Sequence, residues 1–440
     1  MLVATSISAV LLSGKILLLI VPLVLLIMVF CLNIRRFFFT LLLCMPSVEI
    51  LNQLGVGFNG SIMLNAILSA YFIYISLLHI LKNRVHFNTR KGVILAFAIY
   101  IAACIVSSIV AIDVFASVKE LLKMLFYFCL ILIIPDLIKE KSDMKIIINL
   151  LILSAVIPMC YGAFQLIAHQ SPITAWIGGR TVIRITGGFT HSNHFAYFIS
   201  LVGIIVFGKI ITEKNKYMKL LYATFFGLIL YEVVLTYSRT ALMMLILTIV
   251  VMLVSRTKNK LTAILVISVL IGSLIFLFQK SELVQERFQD VFNIFSNINY
   301  LNNALNGDAD TDSFAWRINL WIGSLLLLSD SLLFGFGLQN FVNISNKVIS
   351  ISIDAHNNYV KILVETGVIG FSSFMLVVYQ MVKNQFINKK NNSFFYYKEA
   401  SFLYLYIFLV SFIDPVINHT AIGFLFWTVY ASQSRISFNK

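Results

Sequence analysis

Residues 195–212 read Phe-Ala-Tyr-Phe-Ile-Ser-Leu-Val-Gly-Ile-Ile-Val-Phe-Gly-Lys-Ile-Ile-Thr, with Lys209 as the single charge. A bilayer core is spanned by about 20 predominantly apolar residues in a helix. Similar runs recur near 15–32, 37–52, 61–81, 92–112, 118–135, 146–168, 220–237, 240–255, 261–279, 358–382, 400–416 and 419–433. Lipid offers the backbone no hydrogen bonds, so each run is predicted to close its own as a helix. The rest of the 440-residue chain agrees: 60% is hydrophobic and 12% charged, against roughly 25% charged in a soluble domain. Mean hydropathy is +0.92. That composition excludes a cytosolic enzyme, a disordered chain and a secreted disulfide scaffold. The fold class is all-α: a polytopic membrane protein with about 12–13 transmembrane helices.

The run at 15–32 is kept as a span rather than a signal peptide. Lys15 is its one early cation and no A-x-A site follows. Cys31, Cys44, Cys104, Cys129 and Cys160 all lie in apolar runs without paired spacing, and read as small buried hydrophobes. Four segments follow from the pattern: N-terminal helices at 1–168, helices with Arg-bearing loops at 169–279, one long extracytoplasmic loop at 280–357, and C-terminal helices at 358–440.

The net charge is +14. Most of the Lys and Arg fall in one set of alternate loops, such as Arg35 and Arg36, Lys209 to Lys219, and Arg256 to Lys260. Positive loops face the cytoplasm, so this excess reads as topology and not as a nucleic-acid surface. The C-terminus is then cytoplasmic. Lys15, Lys119 and Lys123 sit near span ends and are expected to snorkel. Arg180, Arg184, Arg239, Lys280, Arg287, Arg317, Lys347 and Lys361 remain on the opposite side, with five of the seven histidines. Cations that defy the orientation rule point to function.

Four clusters hold three of these cations, Arg184, Arg239 and Arg317, and three of the histidines. Arg184-Ile-Thr-Gly-Gly-Phe-Thr-His191-Ser-Asn193-His194 precedes a span; its glycines allow a tight turn and Arg184 suits a phosphate. His191 and His194 have no third ligand at metal spacing, so no metal is expected. Thr236-Tyr237-Ser238-Arg239-Thr240 joins two spans, with Glu232 two helical turns before Arg239 as its expected partner. Phe314-Ala315-Trp316-Arg317-Ile318-Asn319-Leu320-Trp321 reads as an interfacial amphipathic helix, its tryptophans at headgroup level. A Gly335-Phe-Gly337-Leu-Gln-Asn340-Phe341 run follows it. Asp354-Ala355-His356-Asn357-Asn358-Tyr359 leads to Glu365-Thr366-Gly367; His356 can accept a proton from a hydroxyl, with Asp354 or Glu365 to orient it. Asp308, Asp310 and Asp312 lack the glycine and distal glutamate of a calcium loop and read as a solvated turn.

As a set, R-x-T-G-G-F-x-H-x-N, S-R after a span, R-x-x-L-W with G-F-G-L-Q-N-F, and A-H-N-N-Y with E-T-G-V-I-G resemble the O-antigen ligase and O-antigen polymerase family of bacterial membrane glycosyltransferases. The resemblance covers roughly 180–375. Two prolines frequent in the family are replaced, by Ser192 and within Ser331-Leu-Leu-Phe. The resemblance implies a helical fold like that of glycosyltransferases with lipid-linked donors (GT-C-like). It also implies a polyprenyl-diphosphate-linked oligosaccharide donor, no cofactor, and a site on the periplasmic or outer face of the bacterial inner membrane. Arg184, Arg239 and Arg317 take the diphosphate-binding positions and His356 that of the essential histidine. Glu232, Asn193, Asn357 and Glu365 support them. The expected partners are the lipid-linked glycan, membrane lipid, a flippase and a chain-length regulator.

Charge growing on a departing diphosphate requires cations, and arginine forks suit phosphate. No carboxylate pair suggests a covalent route, so direct displacement with inversion is expected. Polymerase is the leading reading. A ligase that passes the glycan to a lipopolysaccharide core or protein uses the same donor chemistry. A lipid-linked-oligosaccharide flippase would place charges in both membrane halves; here they gather on one.

Overall fold

The computed structural model describes residues 33–53, 64–83, 91–138, 140–177, 180–256, 268, 272, 315–388 and 395–433. The predicted run at 15–32, nearly all of 261–279, Cys31 and the acidic cluster at Asp308, Asp310 and Asp312 lie outside them.

Every other predicted run coincides with helix. In chain order these are α1 (Ile34–Gln53), α2 (Leu64–Lys82), α3 (Lys91–Ile109), α4 (Val114–Leu137), α5 (Lys141–Leu153), α6 (Val156–Ile167), α7 (Ser192–Thr212), α8 (Lys216–Leu235) and α9 (Arg239–Arg256). The amphipathic α10 (Ala315–Leu327) and α11 (Phe341–Ile349) follow, then α12 (Asn358–Asn388), α13 (Phe395–Val410) and α14 (Thr420–Ser432). Seven helices among the described residues are long and apolar enough to cross a membrane. The fold is all-α and polytopic. Its only strands among the described residues form a hairpin, β1 (Thr174–Ile177) with β2 (Arg180–Ile183), which the apolar pattern did not reveal.

The run at 146–168 is interrupted by a turn at Ser154 and Ala155. Pro158 lacks the amide that would bond to the Ser154 carbonyl, so the ladder breaks there. The opening stretch at 195–212 becomes α7, and its all-round apolarity has a structural cause: it is buried on every side. Helices α8, α9 and α13 pack on it. A second layer pairs α12 with α3, α14 with α4, and α2 with α4. Phe97, Phe126, Phe424 and Trp427 interlock there.

The ion pairs Arg35–Asp143 and Arg256–Glu399, and His79 with Asp136 at 2.7 Å, lie at one end of the bundle. At the other end meet the starts of α7, α9, α12 and α14 and the ends of α3, α8 and α13. Lys123, expected to snorkel, turns inward to Glu120 and the Asn418 carbonyl. Cys104 and Cys129 are buried as expected, but Cys160 is exposed on α6; no disulfide joins the described cysteines.

Candidate functional site

The first two motifs meet through Arg184. It is 7% exposed. Its Nε donates to the Thr236 carbonyl at 2.8 Å and its Nη2 to Asn193 Oδ1 at 2.8 Å. The loop that carries it is held by Gln165 of α6, whose Oε1 accepts from the Thr186 and Gly187 amides at 2.8 and 3.1 Å. Gly187 and Gly188 have φ of +56° and +86°. A Cβ at Gly187 would lie 2.3 Å from the Phe195 ring, and one at Gly188 2.2 Å from Ile50. The pair is therefore required by sterics as well as by backbone geometry.

The Thr236 carbonyl that Arg184 grips belongs to the turn before α9. Thr236 Oγ1 accepts from the Ser238 amide, and Tyr237 has φ of +51°. That turn places Arg239, half-buried, as the first residue of α9. The positive end of the helix dipole adds to its charge. The expected partner Glu232 is elsewhere. Its Oε2 lies 3.3 Å from where a Cβ on Gly162 would stand, buried and without a hydrogen bond. A spacing of seven put the two residues on one helical face, but the turn at Thr236–Ser238 breaks that face.

The third motif is bound to the fourth. Trp321 Nε1 donates to the Ala355 carbonyl at 2.6 Å, so this tryptophan holds the His356 loop rather than serving only as a headgroup anchor. Helix α12 is kinked at Gly367, φ +66°. The kink frees backbone groups, and the Gly335–Gly337 run takes them. The Phe336 and Gly337 amides donate to the Val364 and Glu365 carbonyls, both at 3.0 Å. The Val368 and Ile369 amides donate to Leu332 and Leu333 at 2.9 and 3.2 Å. Asn340 extends the clamp to α3–α4: its Oδ1 accepts from the Asp113 amide at 2.7 Å and its Nδ2 donates to Ser117 Oγ at 3.1 Å.

His356 has φ of +48°, a left-handed conformation that is uncommon without glycine. Asn357, expected near the reaction, caps α12: its Oδ1 accepts from the Tyr359 and Val360 amides. Asp354 receives Lys361 Nζ on both oxygens, at 2.9 and 2.8 Å. Glu365, also expected as an orienter, is 3% exposed, accepts from the Phe341 amide at 3.1 Å, and faces Lys361 at 3.9 Å.

Burial holds the His356 imidazole below the usual histidine range; Asp414 and Asp354 oppose this, while Arg317 and His191 add to it. The base form is thus favoured at neutral pH. Asp414, 5% exposed, accepts from the Tyr197 hydroxyl at 3.2 Å. Burial raises its carboxyl above the usual range, against the pull of His356. Asp414 was missed in the sequence; the available signal was an acid at the end of an apolar run, which costs too much to be incidental. Burial would also raise Asp354, but the Lys361 ammonium brings it below the ordinary value. His191 caps α7, its Nδ1 accepting from the Asn193 amide at 3.1 Å. Its ring lies 5.8 Å from that of His194, which lies 4.5 Å from that of His419. No group of His, Cys, Asp or Glu among the described residues is arranged to hold a metal.

One end of the bundle thus gathers Arg184, Asn193 and Arg239 through one turn, and Arg317, His356, Asp354, Glu365 and Asp414 through another. His191 lies within electrostatic reach of both Arg184 and His356 and so borders the two groups. The first holds cations, and the second holds a base beside a cation. Residues 223–375 match the family model described as O-antigen ligase. The match takes in the second, third and fourth motifs; the Arg184 motif lies before it. No curated protein matches the chain.

Proposed function

We propose, from the match of residues 223–375 to the O-antigen ligase family, whose members are glycosyltransferase-like enzymes, that the chain is a polysaccharide polymerase of the bacterial cell envelope. It moves a glycan from polyprenyl diphosphate onto the next lipid-linked repeat unit, at the periplasmic or outer face of the inner membrane. The observation that carries this reading is His356, set on a left-handed turn that Trp321 ties to the helix of Arg317.

An acceptor hydroxyl attacks the anomeric carbon and gives its proton to His356. The new glycosidic bond forms as the bond from that carbon to the phosphate oxygen breaks, with inversion. The electron pair leaves with the polyprenyl diphosphate, whose growing charge faces Arg239 and Arg317. Asp414, whose charge acts on His356, steadies the protonated ring. Arg184 was expected on the diphosphate as well. Its Nε and Nη2 also donate to Thr236 and Asn193, so it fixes the turn that presents Arg239 as well.

The description of the matched family favours a second reading, a ligase with another acceptor. One complementation experiment tests both. Deleting the gene should leave single-repeat glycans on the final acceptor if the chain is a polymerase, and long glycans on the carrier lipid if it is a ligase. Wild-type plasmid should restore the glycan and His356→Gln should not. Restoration by His356→Gln would refute the base assignment.

A further inference from the structure

Lys361 is 1% exposed, and a buried ammonium is an unusual thing to find one turn into a membrane helix. Its Nζ contacts both Asp354 oxygens and faces Glu365 at 3.9 Å. Glu365 is fastened in turn to the Phe341 amide, and its backbone carbonyl accepts from Gly337 and from Ser107 Oγ. Lys361 therefore connects the loop two residues before His356 to the kinked, interlocked part of α12.

A buried ion pair is weak evidence for stability, since apolar residues of similar size often serve as well. Position is the better explanation. The left-handed backbone of His356 persists only if its surroundings over-determine it. That backbone is held by Trp321 on Ala355, the Asn357 cap, the Asn358 amide on the Ser411 carbonyl at 2.8 Å, and the Asp354–Lys361 pair. The last is the only one of these that is also a charge.

We propose that Lys361 is a positioning residue for the transfer reaction: by binding Asp354 it fixes the placement of His356 and shields the imidazole from the Asp354 carboxylate. The inference rests on His356 being the base. The charged and titratable groups acting on His356 are Asp414 from the α13–α14 connection, Arg317 of α10, Asp354 of its own loop and His191 before α7. Those acting on Lys361 are Asp354, Glu365 and Glu120 of α4.

The test is steady-state transfer by full-length protein in detergent, across pH, using lipid-linked glycan extracted from the producing cells. Lys361→Met leaves Asp354 unneutralised, which favours the imidazolium. The acid limb of the profile should move up by about one pH unit, and kcat at neutral pH should fall about tenfold or more, with KM for the lipid-linked glycan within about twofold. Asp354→Asn removes the negative charge and should move the limb the opposite way, which keeps the inference testable if Lys361→Met does not fold. Limbs that stay in place while kcat falls would reduce Lys361 to a packing role and overturn the proposal. His356→Gln runs in parallel. If it retains transfer, the base reading itself fails; if it is inactive and the limbs do not move, only the role of Lys361 fails.

Discussion

Single residues in this site act mostly on one another. His191 caps α7 as a hydrogen-bond acceptor, and a protonated imidazole cannot do that. Burial first, then Arg184 and His194, push its pKa down to about 4. The sign follows: between about 6.5 and 4 the unfolded chain binds this proton and the folded one does not. This contribution to stability is present above pH 6.5 and is lost as pH falls toward 4. Thermal melting in detergent should show Tm dropping across that window, and His191→Asn, which keeps a cap without the titration, should flatten the drop. An equal drop in the variant would remove His191 as its source. At this scale the sequence was informative about identity and less so about role. Arg184, Arg239, Arg317 and His356 stand at the gathered end, and no periodicity could tell that Arg184 grips a carbonyl or that Asn357 is a cap. Those facts depend on turns, whose geometry the apolar pattern does not encode.

Elements show where the glycines are structural. Gly335 and Gly367 have φ of +68° and +66°. A Cβ on Gly335 would fall 2.4 Å from the Glu365 carbonyl oxygen, and one on Gly367 2.3 Å from that of Leu333. Each replacement by alanine should cost about 1–3 kcal/mol, read as a fall in Tm, and should also depress transfer, since both segments border the His356 loop. Gly227 is the contrast. It lies within α8 with nothing within 4 Å of its Cβ position, so Gly227→Ala should raise stability by about 0.5–1 kcal/mol. A Tm for Gly335→Ala equal to wild type would argue against the interlock. The helices themselves were legible because lipid leaves the chain one main solution. The Gly-Phe-Gly run was legible only as a motif. Its partner, the kink at Gly367, was likewise legible only as part of the Glu365-Thr366-Gly367 motif, which does not reveal a kink.

For the whole molecule, the charge pattern predicts that the motif end faces away from the cytoplasm. In a background without native cysteines, Thr190→Cys should react with a membrane-impermeant maleimide on intact cells. Asn83→Cys, at the opposite end, should react only after permeabilisation. Labelling in the reverse order would invert the topology and move the site to the cytoplasm. The mutual stapling of residues 332–340 to the α12 kink and to the α3–α4 turn carries a consequence for traffic. A segment whose amides complete another helix's ladder cannot swing aside without undoing four backbone bonds. Residues 332–340 and the kink of α12 therefore act as a fixed sill and not a door.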